Sequence, residues 1–156
     1  MSQIREWLFI GNYAQTIDLQ VLNRDGITAI LQLAEKVTHP NIETLYLKMD
    51  DGESISHDSI AQGIAFMRAQ KVKGGRLMVA CGAGISRSTT FAMAILMEEE
   101  QLPLFDAYAE IYRQYFRAEP HPQLIMSLSA YYGKELTLIE AYEALEKVRA
   151  SIDDTH

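Results

Sequence analysis

The pattern of hydrophobic and polar positions predicts short strands that alternate with longer helices. Four apolar runs bounded by turn-forming or polar residues have the length of strands, at residues 7–10, 27–33, 43–49 and 77–80. The second and fourth runs are nearly continuous in apolar residues, which is typical of strands whose two faces are both covered. The sequence therefore indicates a buried sheet.

Apolar side chains that recur every three to four residues predict the helices. Helices are expected over residues 17–24, 89–100, 103–116 and 123–132, with one more that carries Ile60, Ile64 and Met67. We expect Thr16 to cap the first of them and Ser54 or Ser56 to cap the helix after the third strand. This alternation predicts an α/β fold in which helices flank a central, mostly parallel, twisted sheet of about four to five strands.

The end of the chain has its own helical pattern. Gly133 interrupts the preceding helix, and Thr137 with Glu140 three residues later has the spacing of a capping box. The predicted apolar face of this last helix consists of Ile139, Tyr142, Leu145 and Val148. We predict a main domain over residues 1–133 and a C-terminal helical extension over residues 134–156, packed on the domain or on a partner.

Composition and charge narrow the classes of function. The chain has 156 residues, of which 48% are hydrophobic and 22% charged, as expected for one globular domain. Its formal net charge of −7 argues against general binding to nucleic acid or to an anionic membrane surface, because both need clustered cations. No apolar run approaches the roughly 20 residues of a membrane span, and the first residues lack the layout of a secretory signal. We expect a cytoplasmic protein.

The chain contains a single cysteine, Cys81, which excludes an internal disulfide and a multi-cysteine zinc site. The four histidines show no metal-ligand spacing with one another or with Cys81, so no metal and no cofactor are expected; they are His39, His57, His121 and His156. We therefore predict that Cys81 is a chemically reactive thiol rather than part of a disulfide or a metal site.

The segment around Cys81 predicts an anion site. An apolar strand leads into a loop with two glycines and then into a helical run; the loop consists of Cys81, Gly82, Ala83, Gly84, Ile85, Ser86, Arg87 and Ser88. Loop amides and the positive end of the following helix can surround a phosphate-sized anion. The Arg87 guanidinium can bind two oxygens at once, and a thiol at this focus ionises more readily than a free one.

This segment resembles the signature loop of cysteine-dependent phosphatases of the tyrosine and dual-specificity superfamily, in which Cys, five residues, Arg and Ser or Thr follow one another. The resemblance extends over about residues 5–132 and is greatest to small atypical dual-specificity phosphatases. It implies a phosphatase-like catalytic domain at residues 1–133, a metal-independent phosphomonoesterase that needs no cofactor and forms a phosphocysteine intermediate. The substrate would be a phosphorylated protein or a small phosphomonoester, and the protein a monomer or weak dimer. Because no long loop deepens the site, mixed specificity is expected.

The resemblance also implies roles for individual residues. Cys81 would be the nucleophile, and Ser88 would ease the departure of its thiolate. The phosphate would be bound by Gly82, Ala83, Gly84, Ile85, Ser86 and Arg87. The general acid would be an Asp about thirty residues before the cysteine, which admits Asp50 and Asp51. Counting back from the apolar stripe of the following helix favours Asp50, whereas a loop about one residue short keeps Asp51 open.

The sequence departs from the resembled pattern at one position. The family normally has His directly before the cysteine, and here that residue is Ala80. Because this His helps to activate the thiol, we expect an active but slower enzyme. Two other functions stay open: a catalytically silent module that binds phosphate or phosphopeptides, and a sulfurtransferase, which also holds a Cys between a strand and a helix.

Overall fold

The computed structural model of the chain describes residues 1–155, so His156 lies outside the described part. Its sheet has five strands, β1 (Ser2–Arg5), β2 (Leu8–Asn12), β3 (Ala29–Gln32), β4 (Glu43–Tyr46) and β5 (Leu77–Cys81). They lie in the order β1-β2-β5-β3-β4. All neighbouring pairs are parallel except β1 and β2, which form an antiparallel edge hairpin. The predicted, mostly parallel sheet is confirmed, although the mainly polar residues of β1 did not predict a strand.

Helices cover both faces of this sheet. They are α1 (Tyr13–Thr16), α2 (Leu19–Arg24), α3 (His57–Val72), α4 (Arg87–Glu100), α5 (Leu104–Gln114), α6 (Pro122–Tyr131) and α7 (Leu138–Asp153). Helices α4, α5 and α6 lie within two residues of their predicted bounds, and α3 carries the predicted apolar residues Ile60, Ile64 and Met67. The α/β fold class is therefore confirmed.

The first predicted helix is two short helices. Asn12 caps α1 and Asp18 caps α2, each through its side-chain oxygen, so the predicted cap at Thr16 is wrong. Thr16 instead ends α1 and donates its hydroxyl to the Tyr13 carbonyl. Of the two serines considered for α3, Ser56 is the cap and accepts from the Ser59 amide.

The alternation of side chains along β5 separates its residues between two cores. Leu77, Val79 and Cys81 belong to the large core beneath α3 to α7. Met78 and Ala80 belong to a smaller core on the opposite face, with Phe9, Leu22, Ile27 and Ile30. The thiol and the side chain that precedes it therefore point to opposite sides of the sheet.

Helix α7 packs against α5 and α6, and its capping box at Thr137 and Glu140 is confirmed. The predicted apolar face is wrong in part, because Ile139 is 68% exposed and Tyr142 is 52% exposed. The buried positions are Ala141, Leu145 and Ile152, with Val148 partly buried. Since these side chains belong to the large core, α7 is held by the same core as α4 to α6. The division at residue 133 stays a prediction.

The edge hairpin is tied to the helices by ion pairs. The Arg5 guanidinium donates to both Glu100 carboxylate oxygens, at 2.8 and 2.7 Å, and lies 3.0 Å from Glu110. These bonds lower the pKa of the Glu100 carboxyl below its ordinary value. Among residues 1–155, no helix is both long and apolar enough to cross a membrane.

Candidate active site

The loop from Cys81 to Arg87 lies at the carboxyl end of the central strand β5 and leads directly into α4. Cys81 is 3% exposed, and its Sγ lies 3.2 Å from the Oγ of the fully buried Ser88 in the first turn of α4. The thiol thus lies at the base of the loop, beside the amino end of a 14-residue helix. This end of a helix carries partial positive charge and free amides.

Three carbonyl groups of the loop accept hydrogen bonds from neighbouring segments of the chain. The Gly82 carbonyl accepts from the Tyr13 amide at 3.2 Å, and the Ile85 carbonyl from the Glu119 amide at 3.0 Å. The Gly84 carbonyl accepts from the Tyr115 hydroxyl at 2.7 Å. In a planar trans peptide the N–H points opposite to the carbonyl. The amides that follow these carbonyls therefore face away from the flanking segments.

Gly84 is the position where the loop requires glycine. Its φ is +71°, and an added Cβ would lie 2.8 Å from the carbonyl carbon and oxygen of Gly11 at the end of β2. A side chain there would be strained by its backbone angle and would also collide with backbone. The Cys81–Arg87 loop is therefore packed directly against the neighbouring strand.

Arg87 is the first residue of α4 and is directed toward the loop. Its Nη1 donates to the Met49 carbonyl at 2.8 Å, and Nη2 is 3.1 Å from the position that a Cβ on Gly82 would occupy. Within the described chain, its buried Nε has no hydrogen-bond partner. A buried donor without an acceptor costs free energy, so Arg87 does not satisfy all of its donors within the described protein.

The two candidate acids are placed differently. Asp51 lines the same cleft as Cys81, and its Oδ1 accepts a 2.5 Å hydrogen bond from the Ser86 hydroxyl. Both aspartates are exposed, but Asp50 does not line this cleft. The position favoured by counting from the helix is thus outside the cleft. Gly52, with φ +80°, turns the chain directly after Asp51.

Ser86 joins the loop to two neighbouring segments. Besides donating to Asp51, its hydroxyl oxygen accepts from the His121 amide at 2.8 Å. The sequence predicted Ser86 only as a phosphate-binding position. Each of these two hydrogen bonds connects Ser86 to a residue 35 positions away, one before it and one after it in the sequence. No local sequence pattern predicts such contacts.

The cleft above the loop has a volume of about 360 Å³. Its floor includes Cys81 and four of the loop residues that follow it, and Asp51 lies on one side. Residues 119–122 form a second side, and α7 contributes Tyr142, Leu145 and Arg149. Of the predicted phosphate-binding residues, Ala83, Ile85, Ser86 and Arg87 line the cleft, while Gly82 and Gly84 contribute backbone to the loop. The sequence did not predict the contribution of α7.

Two further predictions concern Ala80 and metals. Ala80 is 2% exposed and borders a gap beside Tyr13 and Gln32 with no room for a water molecule. A larger side chain there would have to displace these neighbours.

Within residues 1–155, no group of three or more His, Cys, Asp or Glu side chains is placed to hold a metal ion.

Comparisons with known proteins agree with this geometry. The family model for "Dual specificity phosphatase, catalytic domain" matches residues 8–134. Human dual specificity protein phosphatase 2 is 32% identical over 111 residues, which are 68% of this chain and 35% of that protein. The human serine/threonine/tyrosine-interacting protein is 29% identical over 84% of this chain and 64% of its own length. The crystal structure of DUSP15 has a TM-score of 0.78 at 24% identity and covers 100% of this chain and 96% of that one.

The chain therefore belongs to the dual specificity phosphatase catalytic domain family. It spans about a third of the length of the human phosphatase it matches. Helix α7 lies beyond the residues that the family model covers.

Proposed function

We propose that this chain is a phosphomonoesterase of the protein tyrosine and dual-specificity type that acts through a phosphocysteine intermediate. The observation that carries the proposal is the cleft in which Cys81, Arg87 and Asp51 meet. A nucleophile, an anion-binding cation and a carboxyl group are the parts that a thiol-based phosphatase needs. Family membership favours this activity over a sulfurtransferase.

In the first step the Cys81 thiolate attacks phosphorus, an S–P bond forms, and the bond to the leaving oxygen breaks. Loop amides and the Arg87 guanidinium bind the three other phosphate oxygens and stabilise the charge of the transition state. The carboxyl group of Asp51 gives its proton to the leaving oxygen, which departs as an alcohol or phenol. Ser86, which already contacts Asp51, holds that carboxyl group over the loop.

In the second step water attacks the phosphocysteine, the S–P bond breaks, and inorganic phosphate forms. The Asp51 carboxylate accepts a proton from the attacking water. Ser88, 3.2 Å from the sulfur, donates a hydrogen bond to the departing thiolate. The thiolate itself is the nucleophile, so no metal ion is required to activate one.

Hydrolysis of an aryl phosphate by four forms of the chain tests the assignment. We expect Cys81→Ser to abolish turnover and Asp51→Asn to lower kcat by about 10²- to 10⁴-fold, the usual contribution of a general acid. Asp50→Asn is the matched control, because it makes the same change at the adjacent exposed residue. A loss at Asp50 with none at Asp51 would reverse the assignment of the acid.

A second candidate is a phosphopeptide-binding module without turnover, which Ala80 favours since the family's activating His is missing. The same assay separates the two functions, because such a module binds the phosphopeptide but leaves it intact. Binding measured with purified chain, together with no release of phosphate above the Cys81→Ser background, would establish the second function.

The remaining expectations are part of this proposal. A catalytic thiol must stay reduced, which supports a cytoplasmic location. The substrate is a phosphorylated protein or a small phosphomonoester, and the net charge of −7 supports neither nucleic acid nor an anionic membrane as a partner. We propose a monomer or weak dimer in which residues 1–133 form the catalytic domain and residues 134–156 its C-terminal extension.

A further inference from the structure

Helix α7 supplies one wall of the cleft although it lies beyond the matched family domain. Tyr142, Leu145 and Arg149 occur at spacings of three and four residues, so they share one face of the helix. Leu145 is 1% exposed and anchors the wall, whereas Tyr142 is 52% exposed and its ring is accessible. An accessible aromatic ring thus lines the same cleft as the reactive thiol.

The wall is fixed to the protein by a chain of hydrogen bonds. Arg149 donates to the Tyr108 hydroxyl at 3.0 Å, and this hydroxyl donates to the Ala118 carbonyl at 2.8 Å. The next residue, Glu119, donates its amide to the Cys81–Arg87 loop at Ile85. Arg149 also pairs with Glu146. Because Tyr108 is fully buried, these bonds connect α7 to the Cys81–Arg87 loop through the core of the protein.

Several side chains that line the cleft are apolar and suit contact with an aromatic ring. Besides Tyr142 and Leu145, the apolar side chains of Ile85 and Pro120 border the space. The volume of about 360 Å³ lies at the lower end of the range for small-ligand pockets, roughly 300–1,000 Å³. Phosphate on the loop would place the group attached to it between these apolar walls.

We infer that Tyr142 on α7 is a specificity-determining residue that packs against the ring of an aryl phosphate, so that phosphotyrosine is preferred over phosphoserine and phosphothreonine. This inference rests on the proposed function and names its substrate class. A phosphotyrosyl group carries its ring directly on the ester oxygen, whereas phosphoseryl and phosphothreonyl groups carry only a short aliphatic stem there. Only the phosphotyrosyl group therefore offers Tyr142 a ring to pack against. This preference differs from the mixed specificity that the sequence predicted. That prediction rested on the absence of a long loop and did not include α7 as a wall of the cleft.

The test compares kcat/KM for a phosphotyrosyl peptide and for the same peptide with phosphoserine, in wild type and Tyr142→Ala. We expect a loss of about three- to tenfold for the phosphotyrosyl peptide, the effect of one aromatic contact, with most of it in KM. The value for the phosphoseryl peptide should change by less than about twofold. Ile139→Ala is the matched control, since Ile139 is 68% exposed on the same helix and does not line the cleft.

Equal losses on both peptides, or no loss on either, would overturn the role of Tyr142 while leaving the phosphatase intact. Binding of both peptides to Cys81→Ser, with and without Tyr142→Ala, is measured alongside. If no variant hydrolyses either peptide, the proposed function fails. The binding arm then still decides the role of Tyr142: a selective loss of phosphotyrosyl affinity supports it, and unchanged affinity contradicts it.

Discussion

The Cys81–Arg87 loop and helix α7 border the same cleft, but the chain specifies them in different ways. The loop is a contiguous segment whose proposed function depends on its backbone, its glycines and two side chains at fixed spacing from the strand. The α7 wall consists of side chains whose orientation depends on contacts with α5 and α6. The comparison teaches that the proposed phosphate site is local in sequence, whereas the wall proposed to face the rest of the substrate is not.

The largest effect is expected from breaking the local element with Gly84→Ala. The new Cβ would lie 2.8 Å from the Gly11 backbone at φ +71°, so the loop must shift or the strand end must open. We expect a loss of about 3 kcal/mol in the free energy of unfolding, and aryl phosphate turnover at least a hundredfold lower. Denaturant unfolding and steady-state kinetics measure the two effects.

Gly74→Ala is the control for this change. Gly74 has nearly the same φ, +72°, but no atom lies within 4 Å of its added Cβ. It should cost only the backbone strain, about 1 kcal/mol, and leave turnover unchanged. Equal effects at the two glycines would show that the contact between loop and strand is unimportant.

An intermediate effect is expected from Arg149→Met, which keeps much of the side-chain length but removes the guanidinium. The substitution breaks the bond to the buried Tyr108 hydroxyl and frees the wall. We expect a loss of about 1–2 kcal/mol in the free energy of unfolding and a weaker preference for phosphotyrosyl peptides. Thermal or denaturant unfolding, combined with the peptide comparison, measures both.

Arg113→Met provides the matched control for Arg149. Each arginine pairs with a glutamate three residues earlier, but the Arg113 side chain is 57% exposed against 15% for Arg149. Exposed pairs of this kind contribute about 0–1 kcal/mol. If both substitutions have the same small effect, the connection through Tyr108 does not hold the wall.

The smallest effect concerns the pH dependence of the free energy of unfolding. It lies outside the loop and α7, at the Arg5–Glu100 ion pair that holds the edge hairpin. The Arg5 guanidinium lowers the pKa of Glu100 below 4.5, so the ionised carboxylate stabilises the folded state. That contribution is complete above about pH 5 and is lost as pH falls through the lowered folded-state pKa. Glu100→Gln should therefore cost about 0.5–1 kcal/mol at pH 7 and progressively less as the pH falls below 4.5 through the lowered folded-state pKa.

Denaturant unfolding at several pH values measures this difference, with the exposed Glu143→Gln as control. A constant difference between wild type and Glu100→Gln across the range would show that the carboxylate charge is not its source.

The predicted elements were accurate where the local pattern was strong. The buried strands were found because β3 and β5 lie in the middle of the sheet, where continuous apolar runs are required. The edge strand β1 was missed because an edge hairpin tolerates polar residues and depends on its pairing with β2. The cap at Thr16 failed because Asn12 and Asp18 were stronger caps on either side of it.

The candidate site divides in the same way. Spacing was sufficient to single out Cys81 and Arg87, but it admitted both Asp50 and Asp51. Only the folded chain shows that Asp51, and not Asp50, lines the cleft. On α7 the predicted stripe included Ile139 and Tyr142, which are exposed, since periodicity defines a face but not the surface that covers it.

The sequence by itself determined the α/β class, the family, and the strand–loop–helix segment that carries the thiol and is proposed to bind the anion. These follow from contiguous residues, because strand, loop and helix amino end are joined by the chain. Only the tertiary structure decided that Asp51, residues 119–122 and α7 surround that loop. Their positions depend on contacts between segments far apart in sequence, such as Ser86 with Asp51 and Arg149 with Tyr108, which no local pattern specifies.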